Sequence, residues 1–393
     1  MKIVLLTVPS YSISQSMPRF ATFIGEGMKA RGHQVEYLSS GRLNSAFGGR
    51  FPQRLRKWTG YFDQYLLFPH SLRERVAKAS RERGSRTLFV LTDQGLGMWL
   101  PSIAQQPHVV HCHDLLAIRS ARGEFPENPT GVSGRIYQRM ILSGLRRGRN
   151  FLSVSEATRE SLSRILGGGV EISEVIPNAL NRAIPRIPYH EACRILGLTD
   201  LPVDERPILH VGGNQWYKNR IGLLEIYHAY AETCSNPRPL WMVGPEPTSA
   251  MRRIAGSPAC RQRVIFKKGI GDDELAAMYA VAWTLLFPSL EEGFGWPVLE
   301  AMAAGCLVVA TGIPPMTEVM GQIPFQLPRK VMDGGELEWR RECAEILHSA
   351  ADLTEEKRES LVAEGLARAE LFNGGRFLDR CVEIYSRILH AEQ

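Results

Sequence analysis

Short apolar segments rich in β-branched residues alternate with helical patterns along nearly the whole chain. In the first half we expect strands at Lys2–Val8, Gln34–Leu38, Thr87–Thr92, His108–Cys112, Phe151–Val154 and Glu171–Ile176. Helical patterns lie between them at Arg19–Ala30, Leu72–Arg83, Ser133–Arg146 and Glu156–Leu166. Strands that alternate with helices form βαβ units and build a parallel sheet with helices on both faces. The pattern therefore predicts an α/β fold.

A proline-rich break interrupts this alternation near the middle of the chain. Five prolines, from Pro177 to Pro207 inclusive, leave no long periodic segment here. The alternation then resumes, with expected strands at Ile208–Val211, Leu240–Val243, Arg263–Phe266, Leu285–Pro288 and Leu307–Ala310. Expected helices are Asn219–Glu232, Asp272–Ala280, Pro297–Ala304 and a tail, Glu336–Glu392, that is helical nearly throughout. The sequence thus predicts two doubly wound halves.

These halves predict the domain boundaries. We expect one Rossmann-like domain over residues 1–180, a linker over 181–206 and a second Rossmann-like domain over 207–370. Residues 371–393 form a C-terminal helix that can pack back on the first domain. Ligands of doubly wound folds bind at the carboxyl ends of parallel strands and in clefts between domains. We therefore expect the two domains to face a cleft that holds the site.

The composition indicates a soluble globular protein, because 44% of the 393 residues are hydrophobic and 22% are charged. The start, MKIVLLTVPS, predicts a first β-strand and not a signal peptide. No stretch approaches the length of a transmembrane helix. Seven cysteines without a CxxC pair indicate free thiols in a reducing compartment. We expect a cytoplasmic protein.

The net charge of +6 is concentrated in one stretch. Between Arg50 and Arg86 there are ten Lys or Arg against three Asp or Glu, interleaved with aromatic residues. This stretch suits an anionic membrane surface or an anionic acceptor, which would place the protein peripherally on the inner face of a membrane. The alternative is a solvated helix whose aromatic neighbours pack in the core. No nucleic-acid-binding motif accompanies the charge, which argues against a nucleic-acid partner.

The segment SLEEGFGWPVLEAMAAGCLVVA, from Ser289 to Ala310, follows an expected strand with a turn and a helix. Pro297 suits the first helical position and Gly305 suits the helix end. Gly293 and Gly295 allow positive φ or a close approach of the backbone to a ligand. The unpaired N–H groups at such a helix start bind phosphate or diphosphate. The turn therefore predicts an anion site at the carboxyl end of a parallel strand.

Two carboxylates, Glu292 and Glu300, bracket this predicted anion site. A carboxylate only accepts hydrogen bonds, so it suits a donor pair such as a vicinal diol. Nucleotide sugars carry diols on both sides of their diphosphate. The alternative is that both glutamates are solvated surface charges, as most glutamates are.

The segment closely resembles the signature of the family 4 glycosyltransferases, which are retaining enzymes of the GT-B fold. It departs from the pattern at Trp296, usually a smaller aliphatic residue, and in the doubled Glu291–Glu292. The resemblance continues through GIPPMTEVMG, where Glu318 matches a glutamate of the family. It implies that Glu292 binds sugar hydroxyls and Glu300 the ribose hydroxyls of a nucleotide sugar. The donor site would also include Gly293, Phe294, Gly295 and Trp296.

A second match is ILHVGGNQWYKNRIGLLEIY, where a strand ends in Gly212 and Gly213. In the family, basic residues of this loop hold the donor diphosphate, and Lys218 matches the family lysine by position. The family arginine nearer the strand is absent, and Arg220 can supply the second positive charge. Such cations stabilise the charge that develops on a leaving diphosphate. The alternative is an ordinary basic helix start, although cations are disfavoured there.

In HVVHCHDLLAIRS, His111 and His113 lie on one face of a strand and Asp114 follows. A metal site would need a third ligand, and none is apparent. The family has a histidine–aspartate pair here that faces the donor sugar, which matches His113 and Asp114. Core packing of His113 is the alternative.

Two further loops complete the resemblance. The segment VIFKKGIGDDELAAMYAV implies that Gly269 and Ile270 pack against the nucleobase. In VPSYSISQSMPRF the family's glycine-rich first loop is replaced by a serine-rich one. There Ser14, Gln15 and Ser16 are the candidates for contacts with the acceptor.

Taken together, the resemblance implies retaining transfer of a sugar from a nucleoside diphosphate sugar to a glycan or lipid-linked acceptor, in polysaccharide or lipopolysaccharide assembly. The acceptor would lie on the side of residues 1–180 and the donor on residues 207–370. We expect no metal and no cofactor besides the donor substrate. The catalytic candidates are His113, Asp114, Lys218, Arg220 and Glu292. The alternatives are a nucleotide-sugar epimerase or hydrolase of the same fold, and a non-catalytic subunit that binds a glycan or a partner.

Overall fold

The structure, a computed structural model, describes residues 1–8, 16–40, 63–81, 87–180, 184–260, 262–331 and 334–391. They form two compact units, one of Met1–Asn181 with Gly374–Gln393 and the other of Arg182–Asn373. Each unit contains a six-stranded sheet in which neighbouring strands are parallel. The predicted α/β class with two doubly wound halves is confirmed.

The sheet of the first unit has the strand order β2-β1-β3-β4-β5-β6. Its strands are β1 Lys2–Thr7, β2 Gln34–Ser39, β3 Thr87–Leu91, β4 His108–Cys112, β5 Asn150–Ser153 and β6 Ile172–Val175. Its helices are α1 Ser16–Ala30, α2 Phe68–Arg81, α3 Leu116–Ala121, α4 Val132–Leu145, α5 Glu156–Leu166 and, from the far end of the chain, α14 Gly374–Ala391. A 3₁₀ stretch, Gln94–Ser102, follows β3.

The central strands of this sheet are apolar because both faces are covered. Every residue of β3 and of β4 is buried, whereas the edge strand β2 has only half-buried and exposed residues. Parallel sheets with helices on both faces produce this continuous apolar sequence. The helix α14 covers part of one face with the residues Phe377, Leu378, Cys381, Ile384, Tyr385, Ile388 and Leu389, which pack in one core cluster with Ile3, Leu5 and Phe20.

The sheet of the second unit has the strand order β12-β11-β10-β7-β8-β9. Its strands are β7 Ile208–Val211, β8 Leu240–Val243, β9 Val264–Lys267, β10 Thr284–Phe287, β11 Leu307–Thr311 and β12 Gln326–Leu327. Its helices are α6 Tyr189–Ile195, α7 Arg220–Thr233, α8 Ser249–Ala255, α9 Asp272–Val281, α10 Trp296–Ala303, α11 Met316–Met320, α12 Glu336–Ala351 and α13 Glu355–Ala369. Every strand expected from the sequence is present to within one residue at each end, and β12 is additional.

The segment expected to be a linker differs from that expectation. Residues 184–206 belong to the second unit and contain α6, which packs against α9. Ala192 and Cys193 of α6 are fully buried. The prolines bound short elements here and do not prevent them: Pro188 precedes α6, and Pro202 precedes a 3₁₀ turn. Proline is tolerated at a helix start, where its missing N–H would have no partner.

The described part of the basic stretch, residues 63–81, contains core residues as well as surface charge. Phe68 is buried and its ring lies 4.2 Å from that of Trp99. That aromatic residue therefore follows the core alternative. The rest of the stretch, including Trp58 and the basic residues near it, lies outside the described residues. Within the described ranges, we find no helix with both the length and the apolar character needed to cross a bilayer.

We predict that Ile384→Ala lowers the free energy of unfolding of the first unit by about 2–5 kcal/mol, because it removes a fully buried side chain from the α14 interface. Urea denaturation followed by circular dichroism measures this change. The control is Glu383→Ala on the exposed face of the same helix, which breaks a surface ion pair with Arg380 worth less than about 1 kcal/mol. Equal losses in the two variants would contradict the packing described above.

Candidate active site

The strand order of the second sheet places two loops side by side. Chain order reverses between β7 and β10, which are hydrogen-bonded neighbours. In doubly wound sheets, ligands bind at the carboxyl ends of the strands at this reversal point. The loop after β7 carries Lys218, and the loop after β10 carries Glu292. The two segments with the strongest resemblance therefore meet where the topology favours a ligand.

The loop after β7 is tied to the loop after β10 by hydrogen bonds that involve the backbone. Leu290 N–H donates to Tyr217 O over 2.7 Å, and Asn219 Nδ2 donates to Pro288 O over 3.0 Å. Asn219 adopts a left-handed conformation with φ 50°, and its Oδ1 accepts from Gly222 N–H at the start of α7. Asparagine tolerates this conformation better than most residues. The position of Lys218, next to Asn219, is therefore fixed by the backbone on both sides.

Lys218 and Glu292 form an ion pair across the two loops. Lys218 Nζ lies 2.7 Å from Glu292 Oε1, and the two side chains are 14% and 8% exposed. The Nζ atom also lies 5.0 Å from the ring centroid of Phe287. An ammonium has three donors, so Lys218 can hold Glu292 and bind a ligand oxygen at the same time. The sequence assigned the two residues to different parts of the donor, and the structure places them in direct contact.

Arg220 is buried at the first position of α7 with part of its guanidinium unsatisfied. Its Nη1 donates to Asn214 Oδ1 and, over 3.1 Å, to Pro245 O. Its Nε and Nη2 are buried and have no partner among the residues that the structure describes. Burial lowers the pKa of Arg220. Buried donors without partners are costly, so these two donor nitrogens indicate that a ligand supplies acceptors at this position.

The helix α10 begins as the sequence predicts. Gly295 takes φ 103° at its N-cap, Pro297 lies in its first turn, and Gly305, with φ 77°, follows its end. Glu300 is buried in this helix, and Tyr279 Oη donates to its Oε2 over 3.1 Å. This hydrogen bond from α9 orients the carboxylate. Gly293, by contrast, does not have a positive φ.

The aromatic residues of the same turn divide between core and surface. Phe294 is buried, with its ring 5.8 Å from that of Phe372 and 6.2 Å from that of Trp296. The Phe294 ring therefore packs in the core, and the contact of this residue with the donor stays a prediction. Trp296 is half-buried. In the loop before α9, Gly269 has φ 68° and Ile270 is half-buried.

Several residues that could contribute to a ligand site were not predicted from the sequence. Ser289 Oγ and His210 Nε2 are buried without a partner in the described part of the chain, at the ends of β10 and β7. Gly244, after β8, has φ 156°, and a Cβ there would lie 2.1 Å from Gly212 O. The sequence signal for Gly244 was a glycine directly after an expected strand. In the first unit, both side-chain polar atoms of Asn178, after β6, are buried and unpartnered within the described ranges.

The candidates of the first unit lie at the end of β4. His113 Nε2 donates to Thr92 O over 3.0 Å, and the His113 ring packs edge-on against Phe20 with centroids 4.4 Å apart. Burial lowers the pKa of His113 to about 4. Asp114 Oδ1 accepts from Leu116 N–H and so begins α3. These contacts are those of a packed ring and a helix start, and the catalytic role of both residues stays a prediction.

The remaining predicted site residues show less evidence of a ligand site. His111 Nε2 lies 2.6 Å from Tyr385 Oη in the core. Across the described residues, no three or more His, Cys, Asp or Glu side chains are grouped so as to hold a metal ion. Ser16 is the exposed first residue of α1, and Ser14 and Gln15 lie outside the described residues.

We predict that the His113 ring stays neutral down to about pH 5 in the folded protein, because burial holds its pKa near about 4. The unfolded chain binds this proton near pH 6.5. The stability that His113 contributes is therefore complete above about pH 6.5 and is lost as the pH falls toward about 4. An NMR titration of the imidazole signals, with His113→Gln for assignment and urea-unfolded protein as control, measures it. Titration near pH 6.5 in the folded state would show a solvent-accessible ring.

Comparisons with known proteins identify the family of the chain. The family profile described as Glycosyl transferases group 1 matches residues 205–329, and the profile described as Glycosyltransferase Family 4 matches residues 17–183. The chain is 29% identical to the serotype-specific mannosyltransferase WbdA of Escherichia coli, over 56% of this chain and 26% of WbdA. It is 24% identical to the O-antigen chain mannosyltransferase RfbU of Salmonella typhimurium, over 49% of this chain and 50% of RfbU.

Among solved structures, the chain resembles Anabaena Alr3699/HepE in complex with UDP. The TM-score is 0.68 at 17% identity, over 98% of this chain and all of that one. This likeness establishes the GT-B fold. The chain spans about a quarter of the length of WbdA and half that of RfbU. From the two profile matches and the fold, the chain belongs to the family 4 glycosyltransferases.

Proposed function

We propose that the protein transfers a hexose, with retention of configuration, from a nucleoside diphosphate sugar to an acceptor hydroxyl. The observation that carries the proposal is the pair of cations at the reversal point of the second sheet. Lys218 is held there by Glu292, and buried Arg220 presents two donor nitrogens, Nε and Nη2, that have no partner within the described structure. Cations fixed in advance stabilise the charge that develops on a departing diphosphate.

Arg220 takes the place of an arginine that this chain lacks nearer the strand. Gly212 and Gly213 occupy that region, and a Cβ on Gly244 would lie 3.7 Å from the guanidinium carbon of Arg220. Glycine thus leaves room for a ligand beside the guanidinium. The diphosphate would then contact Arg220, Lys218 and the N-terminus of α10, whose dipole favours an anion. With these positive groups in place, transfer needs no divalent metal.

The carboxylates have separate tasks in this proposal. Glu300, oriented by Tyr279, accepts the ribose hydroxyls, and Glu292, oriented by Lys218, accepts hydroxyls of the sugar. No side chain of the second-unit site is assigned as a nucleophile. The acceptor hydroxyl would therefore attack the sugar on the face from which the diphosphate leaves, and this attack retains the configuration. An oxygen of the leaving phosphate would take the proton of the attacking hydroxyl.

The relatives suggest the sugar and the setting. WbdA and RfbU are named mannosyltransferases, and RfbU is named for the O-antigen chain. We therefore extend the proposal to a mannose-type donor and a glycan acceptor of a cell-surface polysaccharide.

We predict transfer in the presence of EDTA when the correct donor and acceptor are supplied. A thermal-shift screen of UDP, GDP, ADP and dTDP first identifies the base, because a ligand at 100 times its dissociation constant adds about 2.7 kcal/mol of stability. Product formation only with acceptor supports a transferase. Sugar release or epimerisation without acceptor indicates the first alternative, and nucleotide binding without turnover indicates a non-catalytic subunit. Activity that disappears in EDTA and returns with Mg²⁺ would contradict the metal-free site.

We predict that Glu300→Ala weakens nucleoside diphosphate binding by on the order of 2–4 kcal/mol, because two hydrogen bonds to a charged acceptor are lost. Glu292→Ala should lower kcat more than it lowers that affinity, since Glu292 is proposed to hold the sugar and also orients Lys218. Calorimetry and steady-state kinetics separate the two effects. Tyr279→Phe is the matched control for Glu300, and it should cause a smaller loss of affinity. The reverse pattern in the two glutamate variants would exchange their roles.

A surface on the first unit suits an anionic membrane. Along α4, Val132, Ile136 and Met140 are exposed at intervals of four residues, so they form one apolar stripe. Arg135 and Arg139 are exposed beside it, and residues 131–149 contain no Asp or Glu. Apolar and basic residues on one helix face fit the headgroup boundary of a bilayer. We propose this stripe as a membrane-facing surface besides the one predicted at residues 50–86, part of which lies outside the described residues.

We predict that the protein sediments with phosphatidylserine vesicles at low salt and is released at high salt. The double substitution Arg135→Ser with Arg139→Ser should weaken binding about 30-fold, at about 1 kcal/mol for each basic residue. The control, Arg341→Ser with Lys357→Ser, removes the same charge from exposed positions of α12 and α13. Equal weakening in both double variants would show a response to net charge alone and would overturn the assignment to α4.

A further inference from the structure

The second unit contains a cavity of about 570 Å³ that lies away from the residues of the proposed donor site. Its lining includes Arg206, just before β7, and Ala304 with Gly305, just before β11. The cavity is therefore at the amino ends of these strands, whereas the loops of Lys218 and Glu292 leave their carboxyl ends. None of the proposed donor-site residues lines it.

Three arginines surround Trp283 near this cavity. The guanidinium carbons of Arg206, Arg238 and Arg358 lie 5.6, 4.0 and 4.8 Å from a ring centroid of Trp283. Arg206 and Arg358 also donate to backbone carbonyls at the end of α9. Part of their role is therefore structural, because they satisfy carbonyl groups that a helix end leaves without partners.

The three arginines differ in what remains of their hydrogen-bonding capacity. Arg238 donates through Nε, Nη1 and Nη2, all to backbone carbonyls, and does not line the cavity. Arg206 and Arg358 donate through Nε and Nη2. Their Nη1 groups have no partner among the described residues, and both residues line the cavity. Arg358 is only 6% exposed as a whole residue, but its Nη1 is not among the fully buried atoms without a partner, so this donor is accessible from the cavity.

These two guanidinium groups are held side by side. Ala282 O accepts from Nη2 of both, over 3.3 Å from Arg206 and 3.2 Å from Arg358. Burial, reinforced by the charge of Arg206, lowers the pKa of Arg358 to about 10. Glu355 and Glu359 also line the cavity, but they are exposed, and neither forms an ion pair with Arg358 in the described structure. Two like charges at the inner wall of a cavity favour an anion between them.

We propose that this cavity binds a small molecule through a phosphate or carboxylate group held on Nη1 of Arg206 and of Arg358. Its volume lies within the range of about 300–1,000 Å³ that is common for ligand sites. A single oxyanion fills little of that space, so a body of about the size of a sugar fits beside the exposed residues Arg186, Glu355 and Glu359. The site would be separate from the donor site, and its ligand would be an effector or a second substrate.

The test measures oxyanion binding with and without a carboxylate placed at the cavity. Val203 lines the cavity and is 45% exposed, so Val203→Glu is compatible with folding. Val203→Gln is the matched control, with nearly the same size and no charge. All variants are made in full-length Lys218→Met protein, which removes a cation of the proposed donor site. Inorganic phosphate and acetate are titrated separately at constant ionic strength, and the melting temperature is followed.

We expect saturable stabilisation by one or both anions in the Lys218→Met protein. Val203→Glu should raise the apparent dissociation constant about tenfold or more by charge repulsion, and Val203→Gln by less than about twofold. Ala280→Leu, which fills the cavity from the last turn of α9, should also abolish the response. Arg238→Lys, at the arginine that does not line the cavity, should retain it. A response to phosphate alone identifies a phosphate ester, and a response to acetate alone identifies a carboxylic acid. No saturable response, or one that Val203→Glu does not change, overturns the proposal.

Discussion

The contacts between the loops after β7 and β10 determine the arrangement of the candidate site. Asn219 bonds to Pro288 O, Leu290 bonds to Tyr217 O, and Lys218 pairs with Glu292. The loop after β7 contains only a short 3₁₀ turn, Trp216–Lys218, and the loop after β10 forms no helix or strand before α10, so each loop depends on the other for its conformation. This partly buried ion pair is therefore supported by neutral hydrogen bonds that involve the backbone around it. Removal of one partner of such a pair leaves an uncompensated buried charge.

The fold could be predicted from the sequence because its strands are covered on both faces. Continuous apolar runs such as TLFVL and TLLF are distinctive, and each expected strand was found within one residue. The proline-rich segment led to the prediction of a linker, because composition does not show that Ala192 and Cys193 of α6 are buried. Packing against α9, which decides that, is a tertiary contact. The two-residue strand β12 carries too little pattern to be recognised.

The candidate site could be predicted in part. The signature indicated the turn at Gly295, the helix start at Pro297 and the position of Glu300 in that helix. It did not indicate that Phe294 packs inward or that Arg220 has two donors without partners in the described structure, because both facts depend on three-dimensional neighbours. For the same reason, alternation alone could not show that the His113 ring packs against Phe20.

The position of α14 has a consequence for how the protein folds during synthesis. The first unit is completed by residues 374–391, which leave the ribosome after all of residues 182–373. Domains generally fold as units while the chain emerges. The second unit is contiguous in sequence and can therefore fold while the first still exposes the apolar residues, such as Ile3 and Phe20, that α14 will cover. We infer that the nascent chain exposes a chaperone-accessible surface on its earlier half until α14 is synthesised.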